Sequence, residues 1–129
     1  MTPELTILTL AALWQVVHFA LYSVTAQMQV GSKYALSPRD EPRQLSGKAG
    51  RLQRALTNHF ESLILFAIAA LVTTYSDQAT PLTALLSYAY LAARVLYLPA
   101  YVWGWTPGRS LIWAVGFGAT VVMLVKALT

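Results

Sequence analysis

The chain is 129 residues long, 57% hydrophobic and only 11% charged, with no cysteine and a formal net charge of +4. An average soluble protein is roughly 45–50% apolar and about 25% charged, and a soluble fold this small needs polar residues to cover its large relative surface. The composition fits a surface that faces lipid. The absence of cysteine excludes disulfides, protein-thiolate catalysis and cysteine metal sites, and two histidines far apart in sequence leave no metal site expected.

Four apolar runs follow one another: about 5–27, 51–75, 81–104 and 109–128. Crossing a bilayer takes about 20 helical residues, and unpaired backbone groups are costly in lipid. The runs therefore predict an all-α, integral membrane four-helix bundle in a single domain spanning residues 1–129. The first run starts Met1-Thr2-Pro3-Glu4, with an acid and no basic n-region. It also exceeds the usual h-region of about 7–15 residues, so it is read as a retained helix and not a signal peptide. The first connection, Met28 to Gly50, holds Pro38, Pro42, Gly47 and Gly50 and reads as irregular or re-entrant. The connections near Ser76–Thr80 and Trp105–Gly108 are tight turns, the second marked by Pro107-Gly108. Short connections make sequential helices antiparallel, an up-down order.

Charge sets the expected topology. Lys33, Arg39, Arg43, Lys48, Arg51 and Arg54 crowd the first connection against Asp40 and Glu41 alone. Lying between apolar runs, this stretch reads as a cytosolic loop under the positive-inside rule, and no nucleic-acid partner is expected. Arg109 and the third turn then share the cytosolic side. Both termini and the second turn face outward with Glu4, Asp77 and Lys126. The aromatics Tyr101, Trp103, Trp105 and Trp113 read as an interfacial belt, and Gln15, His18 and Tyr22 as an interhelix hydrogen-bond stripe. Pro99 is expected to kink the third helix.

Polar residues also gather inside the bundle. Arg51, Arg54, Asn58 and Glu61 are spaced i, i+3, i+7, i+10, one face of the second helix, with His59 off that face. Tyr90, Arg94, Tyr97 and Tyr101 form one face of the third. Glu61 and Arg94 lie at a similar depth, ~15 Å from the helix ends, which predicts that they pair within one chain or across a subunit contact. A buried ion pair that fixes helix register is the plain alternative to a site. The cations outnumber Glu61, however, and surplus guanidinium charge beside amide and phenol groups suits a ligand bearing carboxylates.

These motifs resemble the MAPEG family, the membrane-associated proteins of eicosanoid and glutathione metabolism. Arg51-Leu-Gln-Arg54-Ala-Leu-Thr-Asn58-His-Phe-Glu61 is similar to the family's helix-two motif. Ala93-Arg94-Val-Leu-Tyr97-Leu-Pro-Ala-Tyr101 followed by Arg109-Ser110 is similar to its helix-three segment and the arginine opening helix four. Leu36-Ser-Pro-Arg39-Asp40-Glu41-Pro42 with Gly47 looks like the first loop of many bacterial members. Some features depart from the family pattern: Ser62 stands where eicosanoid-making members have tyrosine, Leu56 replaces a polar residue, helix one ends Gln27-Met28-Gln29 where active members often carry arginines, and the gap from Tyr101 to Arg109 differs between branches.

The resemblance implies a homotrimer of four-helix subunits, expected in a bacterial inner membrane, and the charge pattern puts both termini outside the cytosol. Glutathione would bind between subunits as co-substrate, with no metal. Arg54, Asn58 and Glu61 would hold its charged ends, Arg94, Tyr97 and Tyr101 would line the wall, and Arg51 would lie at the mouth. Arg109 would be the catalytic residue, stabilising the glutathione thiolate. The implied activity is a glutathione-dependent transferase or peroxidase acting on lipophilic electrophiles or lipid hydroperoxides drawn from the membrane. The competing reading is a non-catalytic trimer that holds a lipid headgroup or another anion. A transporter is a weaker third, since the chain has no internal repeat.

Overall fold

The computed structural model describes residues 1–31, 38, 45–105 and 107–129. Four helices run in sequence: α1 (Pro3–Val30), α2 (Gly47–Tyr75), α3 (Pro81–Val102) and α4 (Gly108–Ala127). Each is long and apolar enough to cross a bilayer, and no strand occurs among the described residues. Helix α2 starts at Gly47, four residues before the expected Arg51, and α3 continues through Pro99 to Val102. The bacterial-type loop segment from Leu36 to Pro42 lies, apart from Pro38, outside the described residues.

The helix ends follow from local chemistry. The Thr2 hydroxyl accepts from the Leu5 N–H, and Pro3 occupies the first turn, where its missing donor costs nothing. Thr80 and Thr83 exchange reciprocal hydrogen bonds in a capping box at the start of α3. At the end of α2, Asp77 takes φ 61°, its N–H reaches the Thr74 carbonyl and the Gln78 N–H reaches Thr73. This is the Schellman arrangement, with aspartate tolerating the left-handed position. Gly104 at φ 69° repeats it after α3, with the Trp105 N–H on the Ala100 carbonyl at 2.8 Å. At the start of α2, the Gln29 side chain clamps the Ser46 backbone from both sides, accepting from its N–H at 2.8 Å and donating to its carbonyl at 3.1 Å.

Helices α2 and α3 touch each other and both outer helices, whereas α1 and α4 make no contact among the described residues. Small residues let the backbones approach, as in membrane bundles generally. Ala11, Ala69, Ala70 and Ala119 pack with Ile7, Phe66, Tyr90 and Met123 in the main core, where the Phe66 and Tyr90 rings stack 4.0 Å apart. A Cβ on Gly116 would sit 3.4 Å from the Ala93 Cβ, so the α3–α4 crossing is already at contact distance. Leu13, Val16, Leu85 and Val115 remain more than half exposed on the outside, the positions lipid would cover.

Glu4, in the first turn of α1, faces into the bundle. It is fully buried, and its Oε1 accepts from the Thr83 hydroxyl at 2.6 Å. Thr2–Thr74 and Gln78–Ala127 hydrogen bonds close the same end of the bundle. The opposite end carries the arginines.

This arrangement sets Ser46 and Ser76 at opposite ends of α2. Ser46→Cys and Ser76→Cys should react with an impermeant thiol reagent from opposite sides of the membrane, Ser46→Cys from the cytosol. Labelling of both from one side would break the four-span bundle.

Candidate functional site

The i, i+4, i+7 spacing on α2 brings Arg54, Asn58 and Glu61 to one stripe, and that stripe borders hollows on the arginine-rich end of the bundle. A cleft of about 270 Å³ is lined by Asn58, Tyr97, Tyr101, Arg109, Ser110 and Trp113. A second hollow of about 310 Å³ runs along α2 past Gln53, Arg54, Thr57, Asn58 and Glu61. A third, of about 190 Å³, is lined by Asn58, Glu61, Ser62, Leu65, Trp113 and Phe117. Asn58 belongs to all three.

Tyr101 ties the cations together. Its hydroxyl accepts from Arg54 Nε at 3.1 Å, and the Arg109 guanidinium lies over its ring, 4.9 Å from the centroid. The Tyr97 ring lies 5.6 Å from that of Tyr101 and carries Arg94 over its own face at 4.6 Å. A guanidinium over an aromatic face gains electrostatic attraction and loses rotational freedom. Arg109 is half-buried and faces the cleft with Asn58.

Two of the expected residues stand apart from the hollows. Arg51 donates from Nη1 to the Val102 carbonyl at 2.8 Å. It caps the last turn of α3, where the helix dipole favours a cation. Arg94 lies behind Asn58 and Tyr97, only 2% exposed. The expected Glu61–Arg94 pair does not form within the chain. Arg94 donates from Nε to His59 Nδ1 at 3.2 Å and from Nη1 to Asn58 Oδ1 at 3.0 Å, while Glu61 is exposed. Neutral acceptors take up two of the three guanidinium nitrogens without the desolvation cost of a second buried charge.

Sequence reasoning missed His59 as a partner because it sought a carboxylate. The signal was its place on the inward stripe of α2 with Leu52, Ala55 and Phe66, all buried. His59 is fully buried, and Nε2 meets the Ala11 carbonyl at 3.0 Å. His18, placed in the α1 stripe, stacks on it at 4.8 Å. Trp113, assigned to the interfacial belt, lines two of the hollows, with its ring stacked on Phe117 at 4.9 Å. Ser62, which stands where eicosanoid-making members have tyrosine, donates to the Tyr90 hydroxyl at 3.1 Å.

The sequence profile of the MAPEG family matches residues 5–129, nearly the whole chain. The chain belongs to the MAPEG family. No curated protein and no solved structure matches it. Membership in MAPEG agrees with the four spanning helices, and the residues of both quoted motifs meet around Asn58.

The stability of this MAPEG bundle should separate the two members of the expected ion pair. Arg94→Leu takes the partner from the fully buried His59 Nδ1, at about 1–3 kcal/mol, and from the half-buried Asn58 Oδ1, at less. Glu61→Gln on the exposed face should stay within about 0.5 kcal/mol. Thermal unfolding in detergent checks this, and the reverse order would contradict the arrangement.

Proposed function

We propose that the chain is a membrane-bound glutathione-dependent transferase or peroxidase for lipophilic electrophiles or lipid hydroperoxides, working as a homotrimer with its sites between subunits on the cytosolic side. Family membership supports a glutathione-linked activity of this type at the family level. The observation that carries the reading is Arg109: its guanidinium is held over Tyr101 and faces the cleft that Asn58 and Tyr97 line. An arginine with only an anchoring role would extend to the headgroups.

The charge pattern suits glutathione, which has two carboxylates and one ammonium. Arg54 and Asn58 supply donors for carboxylates, and Glu61, in the same hollow, supplies an acceptor for the ammonium. Tyr97 and Tyr101 form the wall beside the peptide. In this reading Arg51 stands at the mouth and Arg94 acts from behind Asn58. The third hollow, with Leu65, Trp113 and Phe117, offers an apolar surface for the second substrate entering from lipid.

Arg109 would favour the ionised thiol through charge-assisted hydrogen bonds. The thiol proton leaves to water. In the transferase reaction the thiolate forms a carbon–sulfur bond as the leaving group departs with its electron pair. In the peroxidase reaction it attacks the terminal peroxide oxygen, the O–O bond breaks to give a sulfenic acid, and the alkoxide takes a proton from water and leaves as the alcohol; a second glutathione then closes the disulfide and releases water. Lowering a thiol pKa by two units takes about 2.7 kcal/mol of preferential thiolate stabilisation.

Stopped-flow thiolate absorbance tests the division of labour. Arg109→Ala should lose the thiolate signal and turnover with little change in affinity, whereas Arg54→Ala should weaken glutathione affinity first, by about tenfold for a lost charge-assisted hydrogen bond. Absence of a thiolate signal in the wild-type protein at saturating glutathione would remove the enzyme reading in favour of a non-catalytic anion-binding trimer. An Arg109→Ala variant matching wild type would mean that another residue stabilises the thiolate.

A further inference from the structure

Three hydrogen bonds join the backbone of α1 to the residue shared by all the hollows. His59 Nε2 lies 3.0 Å from the Ala11 carbonyl, Arg94 Nε lies 3.2 Å from His59 Nδ1, and Arg94 Nη1 lies 3.0 Å from Asn58 Oδ1. Each bond has one possible direction. An arginine nitrogen only donates and a carbonyl oxygen only accepts. His59 Nδ1 must therefore be the bare nitrogen, and the ring's single proton must sit on Nε2. Asn58 must turn its carbonyl oxygen inward to Arg94, which leaves its –NH2 directed away from Arg94.

We propose that His59 is a positioning residue: neutral and protonated on Nε2, it locks Arg94, and Arg94 locks Asn58 so that the amide presents two donor protons to the ligand. The proposal rests on the glutathione reading and adds to it a residue that touches no ligand. The guanidinium depends on this support. Its third nitrogen, Nη2, is buried without a hydrogen-bond partner, so Nε and Nη1 and the Tyr97 ring face are what hold it. Without His59, Arg94 keeps one hydrogen bond and can swing, and Asn58 is free to turn its oxygen outward, an acceptor facing an anion. Helix α1 braces the same unit twice more. His18 stacks on the His59 ring with 11° between planes, and Trp14 Nε1 donates to the Arg94 carbonyl at 3.3 Å.

The test is a double-mutant cycle on the full chain in detergent, read as glutathione affinity by isothermal titration. His59→Leu, similar in volume but without an acceptor, should weaken affinity about tenfold, as expected for one misdirected hydrogen bond. In an Asn58→Ala background the same change should alter affinity by less than about twofold, because coupled residues are not additive. His59→Gln, whose amide can accept from Arg94 and donate to Ala11, should recover most of the loss. An equal loss in both backgrounds, or no loss in either, would overturn the proposal, since a general packing role acts regardless of Asn58. Nitrogen-15 NMR of the histidine rings in the ligand-free wild type supplies an arm that needs neither binding nor a variant that folds. The expected spectrum shows His59 neutral with its proton on Nε2, and a charged ring or the opposite tautomer would overturn the relay. If wild type binds no glutathione, the functional reading fails, and the tautomer still decides the relay.

Discussion

Arg94 carries a full positive charge inside a bundle whose outer surface faces lipid, and it is only 2% exposed. An ion left alone in such a place costs several kcal/mol. What offsets this is a shell of neutral acceptors and one aromatic face: the His59 ring nitrogen, the Asn58 amide oxygen and the Tyr97 ring. Each partner is fixed by something further out. His59 is held by the Ala11 carbonyl and the His18 ring, and Tyr97 neighbours Tyr101, on which Arg54 and Arg109 converge. The buried guanidinium therefore links α1 to the tyrosine pair that Arg54 and Arg109 share.

Burying Arg94 with neutral partners has a consequence for charge at the surface. Because Glu61 is not used to neutralise Arg94 within the chain, it stays exposed beside Arg54. The site then presents a carboxylate and a guanidinium side by side, which is the pattern a zwitterionic peptide needs. Arg51 has a different role despite sharing the α2 stripe, since it caps the carbonyl end of α3 at Val102. That cap and the Gly104 turn set where α4 begins, and so where Arg109 stands over Tyr101.

Much of this was legible in the sequence. Four apolar runs and the turn residues at both ends of α3 are local signals, and they read correctly as a helical bundle. The helical spacing of Arg54, Asn58 and Glu61 also identified the stripe around which the hollows lie. Partner choice was less legible, because spacing gives depth and face but not which of several acceptors a long side chain reaches. Glu61 matched Arg94 in depth, yet His59 and Asn58 lie nearer its path, and a histidine on an apolar stripe signals an inward partner only once the neighbouring helix is in place. Glu4 shows the same limit. Its place at one end of the first run was legible, but not that the first turn of α3 closes over it through Thr83.

The central claim is that a thiol-bearing peptide lies in the cleft with its sulfur at Arg109 and its polar ends on the α2 stripe. The most direct measurement is an experimental structure of the full chain in a lipid environment with glutathione added. The sulfur should lie within hydrogen-bond reach of Arg109, with the Asn58 –NH2 donating to the peptide and Arg94 untouched by it. Glutathione lodged away from the Asn58 hollows, or its sulfur facing a group other than Arg109, would contradict the claim.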